Sequence, residues 1–73
     1  MIEIFRTNIT DAVEAKKLVE EIHASFAGYQ VNFDLSDCDR ILRVIYNNEY
    51  FHPLNFTNWL KTKGCHAEVL PDN

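Results

Sequence analysis

Three residues near the two ends of this chain have the chemistry of a mixed metal site. Cys65 and His66 offer a thiolate and an imidazole, and Asp11 offers a carboxylate. Mixed ligands of this kind suit Zn²⁺ better than Cu⁺, because copper(I) prefers soft thiolates. These ligands would form a metal site at Cys65, His66 and Asp11 if the fold brings their loops together. We favour the alternative, a partly buried Cys65 that packs as a small hydrophobic residue.

Asp11 also forms an acidic pair with Glu14, at a spacing that places both carboxylates on one helix face. Two carboxylates in this arrangement would favour a hard cation. The same residues would also cap a helix and offset its dipole, which requires no ligand. Of these two roles, we expect helix capping.

The remaining polar residues do not form a catalytic constellation in the sequence. Ser25 and Ser36 have no histidine and acid at a spacing that indicates a triad, and the chain's two separated glycines cannot form a phosphate-binding loop. The acidic residues of 34–39 lack the twelve-residue frame of a calcium loop. We therefore predict a protein that is not an enzyme and that needs no cofactor, with zinc or copper as the alternative.

Hydrophobic periodicity predicts the elements that must position these residues. Apolar residues at helical spacing predict helices from Asp11 to about Gly28 and from Pro53 to Gly64. Alternating residues predict four strands, at 2–8, 29–35, 40–46 and 65–70, with a loop at 47–49 and a tail at 71–73. Right-handed crossovers then predict an α+β, ferredoxin-like βαββαβ fold. It has a four-stranded antiparallel sheet in the order 4-1-3-2 and two helices on one face, and residues 1–73 form one domain.

This arrangement predicts two surfaces. The end of the first strand, the hairpin near Cys38 and the loop before the last strand lie at one edge, where the candidate metal ligands would gather. The sheet face away from the helices is expected to carry Phe5, Ile41 and Ile45 among polar residues. Because the second strand is an unprotected edge, we also expect a dimer formed by that edge or by the open face as an alternative to another protein partner.

The spacing of the core positions resembles the heavy-metal-associated domain family, the small copper and zinc chaperone modules. The family's Met-x-Cys-x-x-Cys loop corresponds here to Ile9, Asp11 and Glu14, and the apolar positions that follow correspond to Leu18 and Ile22. The family's closing Ala-Gly-Tyr-x-Ala-x-Val-Leu is approximated by 63–70. The resemblance implies the fold over nearly the whole chain. Because carboxylates replace both ligand cysteines, it argues against copper transfer.

Charge and composition narrow the classes of partner. The chain has a net charge of −4, and its seven lysines and arginines are not clustered, so nucleic acid and anionic membranes are poor partners. The sequence has no apolar run of about 18 residues. We also expect no signal peptide, and we expect its two cysteines to be reduced thiols, which favours the cytoplasm.

These observations predict a small non-enzymatic protein-interaction module that binds a protein partner or a second copy of itself. The first alternative is a zinc- or copper-binding protein with the altered Cys/His/carboxylate site. The second is a small-molecule-sensing domain of the ACT-like kind, since such domains share the βαββαβ topology.

Overall fold

A computed structural model describes residues 1–47 and 51–70, and its elements follow the predicted order. The elements are β1 (Ile2–Thr7), α1 (Ala12–Ser25), β2 (Gln30–Asp34), β3 (Ile41–Ile45), α2 (Pro53–Thr62) and β4 (Ala67–Val69). The strands form one antiparallel sheet in the order β2-β3-β1-β4, which is the predicted order read from the other edge. The fold class is therefore α+β. The predicted loop at 48–49 and the tail at 71–73 lie outside the described residues.

Both helices begin and end where local chemistry favours it. Asp11 caps α1 by accepting a 3.0 Å hydrogen bond from the N–H of Val13. Gly28, with φ at +87°, follows the end of α1. Gly64, with φ at +83°, ends α2 in a Schellman motif, in which the N–H of Cys65 donates to the carbonyl of Leu60 at 3.0 Å. Because this motif includes Cys65, β4 starts at Ala67 rather than at the predicted residue 65.

Side chains at the C-terminal ends of the two helices meet above the sheet. The ring of Phe26, just after α1, lies 5.4 Å from Phe56 and 5.1 Å from Trp59 in α2. Lys63 Nζ lies 3.3 Å from the Glu21 carboxylate, which joins the ends of the two helices. Buried residues of both helices belong to one hydrophobic cluster with the sheet. The two helices therefore cover the same core.

Phe5 lies in that core, so its predicted place on the open face is wrong. It is fully buried, and its ring centroid lies 5.6 Å from that of Phe56. In the register Phe5 stands opposite Leu42, and Leu42 stands opposite Phe33. Directly opposed residues share a face of a sheet, so these three side chains lie on the helix-covered side. The neighbouring Ile4 points the other way.

Candidate interaction surface and predicted metal residues

The residues predicted to bind a metal have separate structural roles. Asp11 is the cap of α1, as expected. His66 is exposed, and its backbone N–H donates to the side-chain oxygen of Asn8 at 2.9 Å. Cys65 is fully buried behind the end of α2. Within residues 1–47 and 51–70, these three side chains do not form a group with ligand atoms close enough to share an ion.

Burial also makes Cys65 a poor metal ligand. Its removal from water and, to a smaller extent, the nearby carboxylate of Glu14 together raise the pKa of the Cys65 thiol to about 11. A metal binds the thiolate, so the raised pKa of this thiol weakens Cys65 as a ligand. The expected alternative, a buried cysteine that fills space in the core, is what the structure has.

The hairpin between β2 and β3 brings together a different set, which the sequence indicated only as a turn. Ligand atoms of Asp37, Cys38 and Asp39 lie within 4.8 Å of one another. Asp37 accepts a 2.9 Å hydrogen bond from the backbone N–H of Asp39, and Asp39 lies 3.7 Å from Arg6. These contacts account for both carboxylates as parts of the turn and of a surface ion pair.

Four isoleucines lie on the sheet face away from the helices, and we call this surface the isoleucine face: Ile2, Ile4, Ile41 and Ile45. Ile2 and Ile45 stand opposite each other at the strand ends, and their side chains are 53% and 42% exposed. Ile4 is half-buried. The predicted open-face residues Ile41 and Ile45 do lie here, although Ile41 is buried between its register neighbours Arg6 and Asp34.

Polar residues border the isoleucine face towards β2 and at the end away from Ile2 and Ile45, and they pair with one another. Arg6 lies 3.7 Å from the Asp39 carboxylate and 3.5 Å from that of Glu68. Arg43 donates to the side-chain oxygen of Asn32 at 3.1 Å. An apolar centre inside a polar rim is the usual composition of a protein-binding surface.

The sequence did not identify Ile2 and Ile4 as residues of the open face, because β1 has apolar residues at both its even and its odd positions. The signal that identifies the face lies in β2, where Gln30, Asn32 and Asp34 alternate with Val31 and Phe33. That alternation is unambiguous. When this alternation is followed through the register from β2 to β3 and then to β1, the isoleucines fall on the same face of the sheet as the polar side chains of β2.

A second apolar feature lies at the free edge of the sheet. An open groove of about 380 Å³ runs between α1 and β2. Its lining consists of Ala12, Ala15, Lys16, Val19, Val31, Asn32, Phe33 and Leu35. Most of these side chains are apolar, and Val31 and Phe33 belong to the edge strand itself. The groove therefore extends the helix-covered face of the sheet to its free edge.

Comparison of the chain with protein-family models, curated proteins and solved structures gives no match. Neither helix in the described part of the chain is long and apolar enough to cross a membrane. The heavy-metal-associated resemblance therefore stays a prediction.

Proposed function

We propose that this protein is a small protein-interaction module that binds a protein partner through the isoleucine face. The observation that carries the proposal is the exposed, directly opposed pair Ile2 and Ile45 on the face that the helices leave uncovered. Covering apolar surface contributes roughly 25 cal/mol per Å², so a partner that buries this pair gains binding free energy. A contiguous apolar patch rimmed by polar residues is typical of such sites.

The proposal includes a ferredoxin-like architecture and a location in the cytoplasm. The element order and the strand order support this architecture, as does the contact of both helices with one core. The two cysteines are free thiols, one exposed and one buried, which fits a reducing compartment.

The module acts by contact rather than by chemistry. The burial of Cys65 and the separate roles of His66 and Asp11 support this part of the proposal over the metal-binding alternative. The placement of Phe5 in the core leaves Ile2 and Ile45 as the apolar centre that a partner would cover.

The test compares two single substitutions to glutamate on opposite sides of the molecule. Ile45→Glu places a charge in the isoleucine face, whereas Leu54→Glu changes a 72% exposed residue of α2. We expect wild type and Leu54→Glu to capture the same proteins from a lysate of the source cells, and Ile45→Glu to lose them. Quantitative mass spectrometry measures the capture, and circular dichroism melting verifies that both variants fold. Equal capture by all three proteins contradicts the proposal.

A further inference from the structure

In the described part of the chain β2 is an edge strand, and the register shows which of its backbone groups point away from β3. The N–H of Tyr46 donates to the carbonyl of Met1 at 2.9 Å, in the same register as the β1–β3 pairs. Bonded pairs alternate along an antiparallel ladder, so the backbone groups of Val44 and Leu42 also point towards β1. The backbone groups of residues 41, 43 and 45 therefore point towards β2.

The pairing of β2 with β3 then assigns the outward groups of the edge. Residues 41, 43 and 45 stand opposite Asp34, Asn32 and Gln30, so these residues of β2 bond β3. Val31 and Phe33 direct their N–H and C=O groups away from the sheet. β2 has no proline, lysine or bulge, which are the usual devices that stop an edge strand from pairing with another chain.

We propose that two copies of this chain associate by antiparallel pairing of their β2 strands about a two-fold axis at Asn32. In this register each Val31 stands opposite the partner's Phe33. Both residues have outward backbone groups, so each such pair exchanges both of its hydrogen bonds. Each β2 strand thus pairs with the β2 strand of the second copy over its whole length.

The side chains of β2 also match in this register. On the helix-covered side, Val31 meets the partner's Phe33, a β-branched and aromatic pair of the kind that stabilises antiparallel sheets. Both side chains are half-buried in the single chain and lie at the groove beside α1. On the other side the two Asn32 amides meet at the axis, and Gln30 meets the partner's Asp34. No two like charges stand opposite each other.

This self-complementarity favours a second copy over an extended segment of another protein as the occupant of the edge. A five-residue strand forms a small interface, so the association depends on concentration in the range typical of weak complexes. Pairing also places two isoleucine faces side by side on one continuous sheet. The inference goes beyond the proposed function and does not depend on it, because the edge and the isoleucine face are different surfaces.

The first experiment removes outward backbone hydrogen bonds of the edge. Val31→Pro deletes an N–H that no strand within residues 1–47 and 51–70 uses, and an edge strand tolerates proline at such a position. We expect the wild-type mass to rise towards twice that of one chain between about 10 µM and about 1 mM in sedimentation experiments. Val31→Pro should dissociate at least about tenfold more readily. A wild type that stays monomeric overturns the inference and leaves the edge to an extended segment of another protein.

The second experiment tests the axis and does not require Val31→Pro to fold. Asn32→Asp and Asn32→Lys each place two like charges opposite each other at the axis, so each variant alone should associate at least about tenfold more weakly. An equimolar mixture of the two should associate again, since opposite charges then meet. Asn58→Asp, the same change on an exposed position of α2, is the matched control and should associate like wild type. A mixture that stays monomeric overturns the register.

A third variant separates this inference from the proposed function. Ile45→Glu changes the isoleucine face and leaves the β2 edge intact, so it should associate like wild type while losing partner capture. Loss of self-association in Ile45→Glu, with normal association of Val31→Pro, would mean that copies meet through the isoleucine face. That result overturns the β2 pairing and leaves the proposed function standing.

Discussion

Both faces of the sheet carry hydrophobic side chains, but the two faces differ in what those side chains contact. On the covered face, Phe5, Leu42 and Val44 are fully buried against the helices. On the other face, Ile2 and Ile45 are exposed to solvent by 53% and 42%. The hydropathy of β1 alone therefore does not identify the core side of this sheet. The helices determine which side is the core, because their aromatic residues pack against the aromatic side of β1.

The polar groups of the two faces differ in the same way. Thr7 is the buried polar residue of the described chain, and its hydroxyl donates to the carbonyl of Arg40 at 2.6 Å and accepts from the N–H of Ile9 at 3.2 Å. On the open face, Arg6 makes two ion pairs that stay half-exposed. Solvated ion pairs contribute little stability, whereas buried hydrogen bonds are costly to lose. One face thus stabilises the fold, and the other remains available for contact.

The largest expected difference between the faces comes from truncating one apolar residue on each. Phe5→Ala should lower the free energy of unfolding by about 3–5 kcal/mol, because it leaves a cavity among buried rings. Ile45→Ala should lower it by less than about 1 kcal/mol, because the side chain is already in contact with water. Urea denaturation of both variants measures the difference. Equal losses would contradict the assignment of the covered face.

A smaller effect is expected from the buried hydroxyl. Thr7→Val keeps the shape of the side chain and leaves the carbonyl of Arg40 and the N–H of Ile9 without their partner, which should cost about 1–3 kcal/mol. Thr57→Val removes a hydroxyl bond on the exposed side of α2 and should cost less than about 0.5 kcal/mol. Thermal denaturation of the two variants compares them. A Thr7→Val variant as stable as Thr57→Val would show that the hydroxyl bonds of Thr7 contribute little.

The buried thiol of Cys65 makes the stability of the folded protein depend on pH. The pKa of the Cys65 thiol is raised to about 11 in the folded protein, above its ordinary value of 9.0. The unfolded chain therefore releases this proton at lower pH than the folded chain. The contribution of the protonated Cys65 thiol to the stability of the fold is fully present below pH 9 and is lost as the pH rises towards 11.

We expect urea midpoints of wild type to fall more steeply between pH 9 and pH 11 than those of Cys65→Ala. Cys38→Ala, which removes the exposed thiol, is the matched control for the loss of a cysteine. Parallel pH profiles for wild type and Cys65→Ala would show that the Cys65 thiol does not contribute to this loss.

The smallest effect is expected on the polar rim. Arg6→Gln removes both ion pairs with Asp39 and Glu68 and should change the free energy of unfolding by less than about 1 kcal/mol. The change should shrink further in high salt, because these groups are exposed and screened. Denaturation at low and high ionic strength provides the measurement. A larger, salt-independent loss would indicate that Arg6 stabilises the fold by covering Ile41 rather than through its charge.

The sequence predicted the order of elements because it follows from strong local patterns, and right-handed crossovers then gave the order of strands. The helical stripe of α1, its Asp11 cap and the glycine that follows its end, Gly28, are each visible over a few residues. The face of β1 could not be predicted in this way. Ile4 and Phe5 are adjacent, and only the tertiary register decides which of them points to the helices.

The predicted metal residues show a similar limit. The sequence places Cys65 and His66 side by side, but the turn after Gly64 directs the first into the core and leaves the second exposed. The spacing of residues along the sequence does not indicate how deeply a side chain is buried beneath the end of a helix. The hairpin cluster around Cys38 was visible as a run of acids and a thiol, and its use as a turn was predicted.

The position of β1 has a consequence for how the chain folds during synthesis. β1 is an inner strand of the sheet, and its neighbours β3 and β4 come later in the chain. The N–H of Leu70 donates to the carbonyl of Ile4 at 2.9 Å, a contact that spans most of the chain. On the ribosome, β1 therefore emerges long before the strands that flank it. The sheet closes only after β4 has left the exit tunnel, so folding is completed after translation of this segment.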